Sequence, residues 1–98
     1  MDITIKDKIA YLKVNNQRNG SLDSECWIDI LDYQNDSFAC LAPRDKIKDN
    51  KLEIRVIAED RKRALIEVPH GKSFGIYDDE LKAYGFLTIK KELIEYST

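Results

Sequence analysis

Apolar and polar residues alternate with a period of two along much of the chain, which predicts strands rather than helices. One such run covers residues 3–5 and another covers 9–14, with three charged residues between them. The interruption predicts either two short strands or one strand that continues past a bulge. The polar segment 15–21 follows, and its Asn-Gly pair predicts a loop because both residues tolerate positive φ.

Two pairs of strand-like runs each enclose a turn-forming segment and therefore predict hairpins. The first hairpin joins residues 26–33 to 38–42 through four polar residues. Pro43 ends its second arm, because proline has no N–H group to donate to a strand ladder. The second hairpin spans residues 52–68, and the charged segment 59–63 forms its tip.

The pattern changes after a short predicted strand at 73–77. Three acids at 78–80 and Gly85 enclose a short segment that predicts a helix of one to two turns, since acids favour helix N-termini and glycine commonly follows the C-terminus. Residues 86–89 predict a closing strand, and we expect a helical tail after it. An alternative makes this whole segment a helix with four side chains on one face: Phe86, Ile89, Leu93 and Tyr96.

These elements predict a mainly β fold of five to seven short antiparallel strands in meander order. The 98 residues and 11.4 kDa allow a single globular domain over 1–98. We expect a small, partly open barrel of the SH3-like type with one or two short C-terminal helices, because an open sheet leaves its edges and one apolar face uncovered. The alternative is an α+β sheet with a helix packed on one face. The barrel is an architectural analogy and implies no function.

Composition narrows the class of protein. The 16 basic and 18 acidic residues give a net charge of −2, which excludes a globally basic nucleic-acid binder. No apolar run approaches the ~20 residues that a membrane helix needs, and the N-terminal residues lack the pattern of a secretory signal. Two cysteines do not make a disulfide framework. We therefore expect a protein of the reducing cytoplasm with no membrane partner.

Residue types that would indicate an enzyme are few. His70 is the only histidine and lies in a Pro-His-Gly turn, and Cys26 and Cys40 have no second cysteine pair with zinc-ligand spacing. We expect both cysteines to be buried thiols that pack as small hydrophobes. The four glycines match no phosphate-binding motif. The sequence thus predicts no catalytic residues, no metal and no cofactor.

The hairpin around Trp27 carries the leading hypothesis. If Cys26 and its alternating neighbours point inward, the intervening side chains point outward, because strand side chains alternate. The outward set is more apolar than solvation needs and is the predicted partner-binding site: Trp27, Asp29, Leu31 and Tyr33. Ile57 and Leu65 would extend this patch. We expect a non-enzymatic interaction module, of the accessory kind, whose partner is another protein or the chain itself. The competing interpretation is that a C-terminal helix covers this face.

A second hypothesis rests on charge layout. No basic residue lies between Arg18 and Arg44, whereas segment 44–63 has eight basic and five acidic residues, a net +3. Small barrels bind nucleic acid through basic loops and stacking aromatics, here Phe74, Tyr77 or Tyr33. The candidate nucleic-acid-binding residues are Arg55, Arg61, Lys62 and Arg63.

A third hypothesis is a small ribonuclease-type toxin. It would use Arg55, Arg61, His70 and a carboxylate for acid–base chemistry and charge stabilisation. Nothing in their spacing along the chain brings these residues together.

Overall fold

A computed structural model describes residues 3–96, and most of them belong to short strands joined by tight turns. The strands are β1 (Thr4–Lys13), β2 (Asn15–Asn19), β3 (Glu25–Leu31), β4 (Ser37–Pro43), β5 (Ile47–Lys48), β6 (Lys51–Glu59), β7 (Arg63–Glu67), β8 (Gly75–Tyr77), β9 (Ala83–Tyr84), β10 (Phe86–Lys90) and β11 (Ile94–Tyr96). Two 3-10 turns, Arg44–Lys46 and Lys91–Leu93, interrupt them.

The strands form two antiparallel sheets. Sheet A has the order β10-β7-β6-β1-β11, with the short β5 also paired to β6, and sheet B has the order β2-β3-β4-β8-β9. This confirms the prediction of a mainly β fold with antiparallel hairpins. Over residues 3–96 the sheets stay separate and do not close into a barrel, and no α-helix packs on either face.

The inner faces of the two sheets form the core. Alternate residues of each central strand are fully buried, and burial of one such side chain stabilises the fold by roughly 1.5–3 kcal/mol. The largest are Leu12, Ile28, Ile30, Leu52, Val56, Ile66, Val68, Ile76 and Ile89. These residues come from both sheets, so the inner faces are closed to a partner and any binding must use the outside of the molecule.

The N-terminal half contains one confirmed prediction and one wrong one. β1 is a single strand that continues past a bulge, where the register shifts between Ile5 and Lys8 and Asp7 has φ +48°. The predicted loop at 15–21 is wrong over its first part, because β2 pairs with the edge of β3 and satisfies backbone groups there. All of its side chains are exposed, so hydrophobic patterning carried no signal for this strand.

The predicted helix after the acids at 78–80 is also wrong. Asp78 Oδ1 accepts hydrogen bonds from the backbone N–H groups of Glu80 (2.9 Å) and Lys82 (3.0 Å), and so closes the β8–β9 hairpin. Leu81 has φ +60°, which no α-helix continues. The acids therefore build a turn, as short polar side chains do when they bind nearby N–H groups.

The closing strand is confirmed and the helical tail is wrong. β10 pairs with β7, and after the 3-10 turn at Lys91–Leu93 the chain forms β11, which pairs with β1. The free edge of β1 offers backbone partners that outweigh a three- or four-residue periodicity in so short a segment. No helix in the described part of the chain is long and apolar enough to cross a membrane.

Candidate functional site

The outer face of sheet B carries the predicted aromatic surface. Trp27 points outward, as expected from alternation, but it is half-buried. Its ring meets the Tyr77 ring edge-on, with 5.2 Å between centroids, and its cross-strand neighbour Leu41 is 6% exposed. The predicted covering helix is absent over 3–96, and Tyr84 and Leu93 pack against the core instead. Sheet B thus covers its outer face largely with its own side chains.

The predicted acidic neighbour of Trp27 is already paired within the chain. Asp29 Oδ1 lies 3.1 Å from Arg18 Nη2, and Asp29 Oδ2 accepts a hydrogen bond from Asn16 Nδ2 at 2.9 Å. Arg18 and Asn16 belong to β2, the strand that patterning did not predict. Asp29 therefore ties β2 to β3, and Trp27, Asp29 and Leu31 share one face as expected.

Tyr33 does not join that face. It lies in the β3–β4 turn, where its backbone N–H donates to the Thr88 carbonyl of β10 at 2.9 Å. The Arg63 guanidinium lies over its ring, 5.7 Å from the centroid. The expected extension of the Trp27 patch by Ile57 and Leu65 is also wrong, because both residues belong to sheet A in the other layer.

Tyr33 instead lines an open groove of about 460 Å³ at one end of the two sheets. We call this the basic groove; its lining residues are Tyr33, Asn35, Arg61, Lys62, Lys90, Lys91 and Glu92. Two of the four predicted nucleic-acid-binding residues, Arg61 and Lys62, line it, and the Arg63 guanidinium lies over the ring of Tyr33. Lys90 and Lys91 were missed, since only the pairing of β10 with β7 brings them beside the hairpin tip.

Asp60 shapes the hairpin tip that carries these cations. Its Oδ1 accepts the backbone N–H groups of Arg63 (2.8 Å) and Lys62 (3.0 Å), and its Oδ2 lies 2.9 Å from Arg63 Nη2. The two N–H donors, Arg63's first, lower the pKa of Asp60 to about 2. The turn is therefore fixed by a carboxylate that stays ionised under ordinary conditions.

Arg55, the remaining predicted nucleic-acid-binding residue, lies away from the basic groove. On the outer face of sheet A, Arg55 Nη1 is 3.0 Å from Asp7 Oδ1, Arg55 Nη2 is 2.7 Å from Glu67 Oε1, and His70 Nε2 is 2.9 Å from Glu67 Oε2. We call these four residues the charged row. The contact with His70, then the charge of Arg55, lowers the pKa of Glu67. The fold thus connects Arg55 to His70 through Glu67, which their spacing along the chain did not predict. Arg61, the other arginine of the ribonuclease hypothesis, lies in the basic groove instead.

Glu67 is the centre of the charged row. Arg55 and His70 each contact one oxygen of Glu67, so both carboxylate oxygens have a partner within the chain. The His70 ring also packs on Gly85, where an added Cβ would lie 2.3 Å from His70 Cδ2. This close approach leaves no room for a side chain at position 85.

The same face of sheet A exposes most of the large apolar side chains in the described part of the chain. Seven large apolar side chains of residues 3–96 are exposed, and five of them lie on this face. We call these five the apolar face: Ile3, Ile5, Ile9, Leu65 and Phe86. Cross-strand register places Ile5 beside Ala58 and Ala58 beside Leu65 in one row. Ile9 and Phe86 stand at the two ends of the adjacent row, which runs through Arg55 and Glu67. The sequence signal was present in β1, where apolar residues occupy both alternating positions.

The two cysteines are free and buried in sheet B, as predicted. Burial raises the pKa of Cys40 to about 12, so the thiolate needed for nucleophilic chemistry is scarce near neutral pH. His70 lies on the outside of the other sheet, so no Cys–His pair forms. Within residues 3–96 no cluster of three or more metal-ligating side chains occurs.

Comparisons with known proteins identify no relative: no family model, no curated protein and no solved structure matches this chain.

Proposed function

We propose that the protein is a non-enzymatic interaction module that associates with a second copy of itself through the apolar face of sheet A. The observation that carries this proposal is the concentration of five exposed large apolar side chains on one face, while the opposite outer face is covered by its own aromatic residues. Contiguous exposed apolar surface on a folded chain is typical of an interaction site.

The charge pattern supports a second copy as the partner. The charged row crosses the same face and alternates in sign, with Arg55 held between Asp7 and Glu67. In a two-fold dimer the same patch occupies both sides of the interface. A surface of one sign would repel its copy, whereas mixed charges can pair across the axis. The apolar side chains supply the contact area around them.

This proposal keeps the predicted class of function and moves the contact residues from the Trp27 face to the apolar face. A cytoplasmic location is part of the proposal, since the buried Cys26 and Cys40 remain unpaired thiols as in a reducing compartment.

Sedimentation equilibrium across a wide concentration range tests the proposal. We expect the wild-type chain to convert from monomer to dimer below about millimolar concentration. Leu65→Glu and Ile5→Glu each place a carboxylate inside the contact and should weaken dimerisation by about a hundredfold or more, because a buried unpaired charge is costly.

Leu81→Glu is the matched control. Among the large apolar residues of 3–96, Leu81 is the most exposed at 79%, and it lies in the β8–β9 turn away from the apolar face. It should leave the dimer unchanged. Circular dichroism establishes that each variant is folded. A wild-type chain that stays monomeric throughout, or equal effects of Leu81→Glu and Leu65→Glu, would overturn the proposal.

A further inference from the structure

The basic groove is built from three segments that backbone hydrogen bonds hold together. The Tyr33 N–H donates to the Thr88 carbonyl at 2.9 Å, and the Lys91 N–H donates to the Lys62 carbonyl at 3.0 Å. The first bond joins the β3–β4 turn of sheet B to the edge strand β10 of sheet A. The second joins β10 and the 3-10 turn after it to the β6–β7 tip. The groove walls are therefore fixed in place rather than formed by loose loops.

Positive charge is concentrated in this groove although the whole chain is acidic. Four cationic side chains line it with one carboxylate: Arg61, Lys62, Lys90, Lys91 and Glu92. Lys90 Nζ donates to Asn35 Oδ1 at 2.7 Å, and Lys91 Nζ lies 3.4 Å from Glu59. No carboxylate of residues 3–96 lies within ion-pair distance of Arg61 or Lys62. These cations repel one another unless an anion lies between them.

The aromatic ring gives the groove a second chemical property. Tyr33 presents a ring beside the cations, and the Arg63 guanidinium, held by Asp60, supports that ring. Rings next to positive charge are what single-stranded nucleic-acid sites use, since every base stacks on an aromatic face while its phosphate pairs with a cation. The volume of about 460 Å³ lies within the ~300–1,000 Å³ of small-ligand pockets.

We propose that the basic groove binds an unpaired nucleic-acid strand, with phosphates on Arg61, Lys62 and Lys90 and a base on Tyr33. A duplex keeps its base faces stacked inside, so the Tyr33 contact selects a single strand. Negative net charge elsewhere confines the strand to this groove. The inference goes beyond self-association and does not depend on it, because it uses none of the residues of the apolar face.

Fluorescence anisotropy with labelled oligo-dT and oligo-U tests this inference. We expect binding at low salt, with the logarithm of the affinity falling linearly with the logarithm of salt concentration at a slope of about −2, as for some three strand phosphates neutralised. The double variant Arg61→Glu/Lys62→Glu should lower affinity by about a hundredfold and flatten the slope. Tyr33→Leu should lower affinity about tenfold with the slope unchanged, and Tyr33→Phe should retain binding.

The matched control is Lys8→Glu/Lys48→Glu, which removes two exposed lysines outside the groove and changes the net charge by the same amount. It should lower affinity only slightly. Four results would each overturn the inference: no binding at low salt, equal losses in the two double variants, unchanged affinity in Tyr33→Leu, or equal affinity for a duplex of the same length. The dimer measurement reads out separately, so either proposal can fail without the other.

Discussion

The outer faces of sheets A and B both carry large apolar side chains, but these side chains cover one another on sheet B and stay exposed on sheet A. On sheet B the Trp27 ring lies beside Leu41 and meets Tyr77 edge-on, so large side chains cover the sheet. On sheet A the row from Ile5 through Ala58 to Leu65 has no side chain large enough to shield it, and Ile5 remains 74% exposed. An aromatic residue in an outward position therefore does not by itself mark a docking surface. The exposed surface lies where the register places aliphatic and small residues side by side.

The largest expected loss of stability comes from removing the aromatic side chain that covers the outer face of sheet B. Trp27→Ala removes a half-buried ring and its contact with Tyr77, and should lower the free energy of unfolding by about 3 kcal/mol. Leu65→Ala, on sheet A, should cost less than about 1 kcal/mol since Leu65 is exposed. Urea denaturation of dilute protein measures both. If Trp27→Ala kept full stability and abolished dimerisation, the roles assigned to the two faces would be reversed.

An intermediate loss of stability is expected where Glu25 holds the turn between β2 and β3 of sheet B. Glu25 is a buried carboxylate whose Oε1 accepts the backbone N–H groups of Ser21 (3.1 Å) and Leu22 (3.2 Å). Glu25→Ala leaves these donors without that acceptor and should cost about 1–2 kcal/mol. Glu25→Gln keeps an acceptor oxygen and should cost less. The same denaturation experiment compares them, and equal losses in the two variants would mean that packing, not hydrogen bonding, holds the turn.

The smallest expected effect on stability comes from Asp60 in the β6–β7 turn of sheet A, and it depends on pH. Asp60 has its pKa lowered to about 2 from the usual 3.8, so it stabilises the fold above pH ~4 and loses that contribution as pH falls towards 2. Asp60→Asn keeps the acceptor oxygen for Arg63 and Lys62 but does not titrate. We expect the variant to lose less stability than the wild type between these pH values. Thermal unfolding at a series of pH values measures it; parallel curves would contradict the assignment.

The sequence predicted what local alternation determines. The two hairpins, the outward position of Trp27 and the strand at 86–89 followed from side-chain periodicity and turn residues. The strand at Asn15–Asn19 did not, because its pairing depends on the open edge of β3 and its side chains all face solvent. The helix after 78–80 was predicted wrongly since acids suit both helix starts and tight turns, and Leu81 adopts positive φ.

The candidate sites were less predictable, because both depend on pairing between distant segments. Arg61 and Lys62 were recognised as cations, but Lys90 joins them only through the β7–β10 register. Leu65 does point outward, but on sheet A rather than beside Trp27 on sheet B, since the sequence does not say which hairpins share a sheet. Arg55 does not join the cations of the hairpin tip, because the fold pairs it with Asp7 and Glu67.

The pairing of β1 with β11 affects how the chain folds during its synthesis. Ala10 and Leu12 lie opposite Tyr96 and Ile94, so strands from nearly opposite ends of the chain are neighbours in sheet A. In sheet B, β2, β3 and β4 lie within residues 15–43 and can pair soon after they leave the ribosome. β1 must wait for its second neighbour until residue 96 has been synthesised. A chain cut short before β11 would keep an open strand edge, the kind of edge at which unfinished β proteins aggregate.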